Sequence, residues 1–340
     1  MKRARYPWVL AMLVALAYQS SPIQIIAQQG QPIGEKLEVI QLHPNFYLIA
    51  GAGGNIAVQI GREGVVLVDA GLAESADAVI AAIRKLTDQP IRYIINTSAD
   101  ADHVGGNAKI AQAGQTLFAG NRPDGGADRT AANNGGAAIA ATEDVLNRMS
   151  APTGGKSPYP AVAWPTETFT RKQKNIYLNE EAIEIMREAA AHTDGDSIVL
   201  FRRSDVVAAG DIVDTNHFPD IELAKGASIA GEIAALNRLI DLVVPSIPLP
   251  WKDGGTLVIP GHGRICEQAD IVEYRDMVTI VRDRILDLRK KGLTLDQVKA
   301  ANPTQGFRSR YGTDSGRWTT DAFVEAIYRS LAAGTGTANP

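Results

Sequence analysis

Three of the five histidines in this chain, His103, His192 and His262, each stand at the end of an apolar strand or just beyond one. That pattern restricts the fold severely. Strand ends of one sheet open onto a common edge, so side chains far apart in sequence can meet there. Carboxylates recur at the same kind of place: Asp69 closes the run Val65–Asp69, Asp102 precedes His103, and Asp211 follows Val207–Gly210. Imidazoles and carboxylates gathered on loops above a rigid sheet are what a hydrolytic metal site requires. A single strand-end histidine would read as a packed core or loop residue; the inference rests on the set.

The pattern around these residues is that of alternating strands and helices. Phe46–Ile49, Ile56–Ile60 and Val65–Asp69 read as short strands separated by glycine-rich turns. Ser75 is placed to cap a helix in which Ala76, Val79, Ile80, Ile83 and Leu86 share one face. Ile91–Asn96 is a buried strand, and the strand–helix–strand succession implies α/β layers. A stretch rich in Gly, Ala, Asn and Pro, about 120–165, reads as a loop insertion with one short helix from Thr142 to Met149. Strands resume at 176–178, 183–186, 197–201, 206–209 and 256–259. After Gln268 the apolar stripe Ile271, Tyr274, Met277, Val278, Val281, Ile285 and Leu288 is helical. Gly292 stops that helix, Thr294-Leu295-Asp296-Gln297 has the form of a capping box, and a last helix follows Trp318-Thr319-Thr320.

Taken in order, Val65–Gly71, the segment Ser98–His103 with its Gly105-Gly106-Asn107 tail, His192, Gly210-Asp211 and Pro260-Gly261-His262-Gly263 resemble the metallo-β-lactamase superfamily, in its glyoxalase II-like hydrolase branch. The resemblance implies a four-layer αββα sandwich over 38–268 with a helical extension over 269–335. It also implies a metal site at the sandwich edge. The family's first motif, His-x-His-x-Asp-His, falls here on Ser98, Asp100, Asp102 and His103. Asp102, His103, Asp211 and His262 match the ligands of one metal position. The other position would have Asp100, His192 and Asp211, with Ser98 where an imidazole is normal. Neutral hydroxyls bind divalent ions weakly, so one ion, zinc, is expected, and the oxygen-rich second shell would favour Fe or Mn. His192 has two readings: a ligand, or a general base or oxyanion donor. Asp102 and His192 are the expected proton carriers. Asp69, His217 and Asn107 are expected behind the ligands or on the substrate side.

These residues fit a hydrolase acting through metal-activated water on an ester, lactone, thioester or related bond of a small molecule. They also fit a binding protein that kept the fold without efficient chemistry, and an iron-dependent redox or sulfur-transfer enzyme. Net charge is −4, with Lys and Arg scattered, which excludes the basic face that nucleic acid needs. Lys2, Arg3 and Arg5 before the apolar run Trp8–Ala17 describe a secretory signal peptide over 1–27, hence a periplasmic or secreted protein without stable membrane insertion after cleavage; an uncleaved anchor is the other reading. Cys266 is the only cysteine, so no intrachain disulfide can form, and it reads as a small buried residue. The substrate and oligomeric state are not encoded in any of these features.

Overall fold

Strands in which every residue is buried demand cover on both faces, and Gly64–Val68 and Ala138–Thr142 are of that kind. The computed structural model, which describes residues 37–117, 135–151, 155–246 and 254–333, supplies that cover with two packed sheets and helices on each outer face. The first sheet runs in order β1 (Glu38–His43), β2 (Phe46–Ala52), β3 (Gly54–Gly61), β4 (Gly64–Val68), β5 (Ile91–Ile95), β6 (Ala138–Thr142) and β7 (Glu167–Phe169). Its first four strands pair antiparallel, and β4 to β7 pair parallel. The second sheet has the order β12 (Leu257–His262), β11 (Val206–Asp214), β10 (Asp196–Phe201), β9 (Glu181–Glu188) and β8 (Gln173–Leu178). Only β11 and β12 in it are parallel.

Between the sheets lies one apolar layer. Phe46, Leu48, Val66, Val68 and Ile95 from the first sheet meet Ile183, Ile185, Val199, Phe201 and Ile259 from the second. The Phe46 and Phe201 rings meet edge to face at 4.9 Å between centroids, a favoured aromatic geometry. Outside the first sheet, α1 (Ala76–Leu86) buries Val79, Ile80 and Ile83, and α3 (Asn107–Ala113) buries Ile110. Between these two comes the single turn α2 (Ala101–Val104). On the other outer face, α5 (Ile229–Leu242), α6 (Gln268–Lys290), α7 (Leu295–Ala300), α8 (Arg308–Tyr311) and α9 (Thr320–Ala333) share a core of Leu236, Leu239, Met277, Val281, Phe323 and Ile327. The layers are therefore αββα with a helical C-terminal region, as expected. Among the described residues no helix is long and apolar enough to cross a membrane.

Several expectations require correction. Part of the expected loop insertion is sheet: Ala138–Thr142 pairs with β5 and β7, and its small side chains gave no strand pattern. Thr142 then caps α4 (Glu143–Ser150) by accepting from the Val145 amide. Ser75 caps nothing with its hydroxyl, because it ends a 3-10 turn that leads into α1. β11 is longer than expected and contains Asp211, and α5, begun by a Ser228 cap on Gly231, was not anticipated. The Thr294/Gln297 capping box is formed as expected. The signal segment 1–27 and residues 118–134 of the insertion lie outside the described residues.

Candidate metal centre

The site begins beneath its ligands, with Asp69. This residue follows β4 in a left-handed turn, φ 67°, that aims its carboxylate across to the end of β5. Oδ1 accepts from the Thr97 amide at 2.8 Å, and Oδ2 accepts from the Thr97 hydroxyl at 2.7 Å. The same Oδ2 lies 2.8 Å from His103 Nδ1. An anion at Nδ1 assigns a proton to that nitrogen and turns Nε2 toward the site, the usual way a carboxylate orients a ligating imidazole. Burial alone would lower the His103 pKa, but the charges of Asp211 and Asp69 hold it well above the ordinary value. A cation at Nε2 would take the place of the second proton, the one on Nε2, and leave the Nδ1 proton facing Asp69.

Four groups from three chain segments then converge. His103 Nε2 is 3.1 Å from Asp211 Oδ2, and His262 Nε2 is 3.0 Å from Asp102 Oδ2 and 3.4 Å from Asp211 Oδ1. Donor atoms of Asp102, His103 and His262 all lie within 4.8 Å of one another. A second triad, Asp100, His192 and Asp211, meets the same criterion, so Asp211 stands between the two. Burial would raise the Asp211 pKa, yet the imidazoles of His103, His262 and His192 outweigh it and hold the group far below the carboxylate range. Asp102 is lowered too, its burial outweighed by the His262 hydrogen bond and the His103 charge.

Whether these residues suit a divalent ion is decided by their unmet polar atoms. His103 Nε2, His192 Nε2, Asp100 Oδ2 and Asp211 Oδ1 are buried and make no hydrogen bond. Buried polar atoms left without a hydrogen bond are costly, and a cation would satisfy them. Two imidazoles and two carboxylates around one point match the ligand types of zinc and its neighbours. The residues fit a metal ion.

The second half holds more than the sequence suggested. Ser98 is buried, and its hydroxyl accepts from the Asp100 amide at 3.3 Å. Asp100 caps no hydrogen bond of α2; its Oδ1 lies 2.5 Å from Lys225 Nζ. His192, fully buried, has Nε2 3.5 Å from Asp100 and 3.7 Å from Glu222, with Asp196 3.6 Å from Nδ1. His192, Asp220 and Glu222 form a third group with metal-ligand spacing. Asp220, Glu222 and Lys225 sit on the loop after β11 and were missed in the sequence, since a loop residue carries no periodic signal. Burial opposes the Lys225 charge, but the Asp100 and Glu222 carboxylates raise its pKa. Arg317, from the segment before α9, reaches Asp220 at 2.7 Å and Glu222 at 3.0 Å. Tyr159, from the partly described insertion, donates to the Ala99 carbonyl at 3.3 Å, and burial followed by the Asp100 and Asp102 charges raises its pKa.

Not every expected residue joins the cluster. His217 is half-exposed and pairs with Asp214 at 3.0 Å. Asn107 is buried: its amide donates to Asn96 Oδ1 and the Ala163 carbonyl, while Asn96 donates to the His103 carbonyl. Its place is behind the ligand, through Asn96. Cys266 is buried, and desolvation pushes its thiol up to about 12, which removes it as a nucleophile.

Two glycines permit the closeness of the ligand strands. Gly210, at φ 54°, lies where a Cβ would stand 2.6 Å from Thr97 Oγ1, and a Cβ on Gly261 would stand 2.2 Å from Asp211 Oδ1. Gly261→Ala is therefore expected to push the Asp211 carboxylate aside and weaken zinc binding about 10- to 100-fold, the range for disturbed ligand support. Competition titration with a chromophoric chelator reads this directly; unchanged affinity would show that Asp211 does not ligate.

Comparison with known proteins places these observations in a wider group. The sequence pattern of the metallo-beta-lactamase superfamily matches residues 49–262, a span holding all the ligand candidates. Comparison with curated protein sequences found no match. Among solved structures, the stereoselective inverting sec-alkylsulfatase Pisa1 from Pseudomonas sp. aligns with a TM-score of 0.61 and 15% identity, over 89% of this chain and 52% of that one. This chain thus spans about half the length of the alkylsulfatase. A metallo-beta-lactamase from Pontibacter korlensis aligns at TM-score 0.52 and 16% identity, over 72% of this chain and 99% of that one. The DIM-1 metallo-beta-lactamase gives 0.50 and 15%, over 72% and 98%. At such identities the likeness is one of fold.

Proposed function

Because the chain belongs to the metallo-β-lactamase superfamily, we propose that it is a metal-dependent hydrolase of a small-molecule ester, lactone, thioester or related bond. The observation that carries the reading is the convergence of Asp102, His103, Asp211 and His262, in which His103 Nε2 and Asp211 Oδ1 are buried and make no hydrogen bond. A divalent ion held by these four would supply Lewis acidity, bringing the pKa of water to about 7 and polarising the scissile group. The chain's own residues do the rest. Asp69 and Thr97 hold the His103 ring in one orientation, and Asn55 Nδ2 ties the turn after Pro260 by donating to the Pro260 and Gly263 carbonyls at 2.9 and 3.0 Å. Asp102, paired with His262, and His192, grouped with Asp100 and Asp211, would take and return the proton. Sulfate esters, the substrates named for the alkylsulfatase of like fold, fall in the same class of bonds.

The test is a hydrolysis screen of zinc-loaded protein against lactones, p-nitrophenyl esters, thioesters, alkyl sulfates and nitrocefin. His262→Ala should lose both its bound ion and any activity found. Full metal content in that variant would overturn the ligand assignment.

A further inference from the structure

We propose that the Lys225 ammonium is the resident cation of the second half of the site, standing where another metal ion would otherwise sit, so that the chain holds one ion. The proposal rests on the reading above for the ion itself.

The geometry is specific. Lys225 Nζ lies 2.5 Å from Asp100 Oδ1 and 2.8 Å from Glu222 Oε2. The remaining oxygens of those two carboxylates face His192 Nε2, at 3.5 and 3.7 Å. Ammonium, two carboxylates and an imidazole thus share one small volume. His192 Nε2 and Asp100 Oδ2 there are buried and without hydrogen bonds. A free Lys side chain would gain little from such pairs, because ordering it offsets the attraction. Here its backbone is already fixed: the Lys225 carbonyl accepts from the Asp194 amide at 3.0 Å and from Arg148 Nη2 at 2.6 Å. The neighbouring Glu222 amide donates to the His192 carbonyl at 3.1 Å, which binds the loop to the same strand end.

The alternative occupant is a second metal on Asp100, His192 and Asp211, or on His192, Asp220 and Glu222. Charge argues against it. Asp220 and Glu222 already face Arg317, and Glu222 and Asp100 face Lys225, so an arriving dication would have to displace a bound cation to reach their oxygens. Ser98, turned to the Asp100 amide, offers it nothing.

Metal content of the full chain at saturating zinc, after removal of free ion, tests this, with cobalt absorption spectra as a second readout. Wild type should hold one equivalent. Lys225→Met, which keeps an unbranched side chain one atom shorter and removes its charge, should hold two, with a second set of cobalt bands. Lys225→Arg should stay at one. Two equivalents in wild type, or one in Lys225→Met, would overturn the proposal. If Lys225→Met fails to fold, wild-type stoichiometry decides alone: two ions refute, one supports. A wild type that takes up no ion fails the ligand assignment itself, which is a different result.

Discussion

Asp211→Asn should abolish tight metal binding and, with it, any metal-dependent hydrolysis. The substitution preserves the shape of a side chain that is in contact with both halves of the site and removes its charge. Asp211 pairs with both His103 Nε2 and His262 Nε2, at 3.1 and 3.4 Å, and it also completes the triad with Asp100 and His192. An amide there would present a donor to atoms that themselves need a donor or a cation. Loss of a ligand should exceed the roughly 100-fold upper effect of disturbing a residue behind one. Thermal unfolding gives a readout independent of activity. Zinc at 100 times its dissociation constant should stabilise wild type by about 2.7 kcal/mol, a shift of several degrees for a domain of this size. Asp211→Asn should show no zinc-dependent shift. An equal shift in both proteins would mean that the ion, if bound, lies elsewhere.

Asp211 also shows which parts of the molecule are legible in sequence. Its position, like those of Asp102, His103 and His262, is marked by apolar strands that end abruptly in a polar group. β3, β4 and β5 could be read because Val and Ile dominate them. β6 could not, since Ala-Ile-Ala-Ala-Thr has little strand preference of its own and becomes a strand through burial between β5 and β7. α5 escaped for a related reason. Gly231 in its first turn weakens the helical signal, yet the glycine is required there, because a Cβ would lie 1.9 Å from the Ala190 carbonyl oxygen. Lys225, Glu222, Asp220 and Arg317 are the extreme case. Nothing local distinguishes them from solvated surface charges; their meaning comes from the C-terminal helices, which press the 215–227 loop onto the strand ends. Phe218 stacks on Phe323 at 4.7 Å, and Trp318 Nε1 donates to the Pro219 carbonyl at 3.1 Å. The candidate ligands could be read in the sequence, and the charges packed beside them could not.

Glu232→Gln should make the protein more stable at pH 8 while changing little at pH 5. Glu232 lies in the first turns of α5, fully buried, and neither carboxylate oxygen has a hydrogen-bond partner among the described residues. Desolvation, reinforced by the charge of Asp196 and opposed by His192, pushes its pKa well above the ordinary value, and Asp211 and Asp220 push the same way. The folded chain therefore keeps this proton at pH values where the unfolded chain has released it. More protons bound in the folded state means that stability falls as pH rises above the ordinary glutamate value. The contribution is fully present below that value. It is lost at up to about 1.4 kcal/mol per pH unit until the folded group itself ionises. Glutamine has nothing to release, so this slope should vanish. Glu188, pushed up to about 7 by burial, adds a slope of the same sign to both proteins and cancels in their difference. Urea unfolding from pH 5 to 8 should show the gap widening with pH in favour of Glu232→Gln, by no more than about 1.4 kcal/mol per pH unit. A gap that stays constant, or a variant less stable at every pH, would show that Glu232 is ionised in the folded chain and held by a cation.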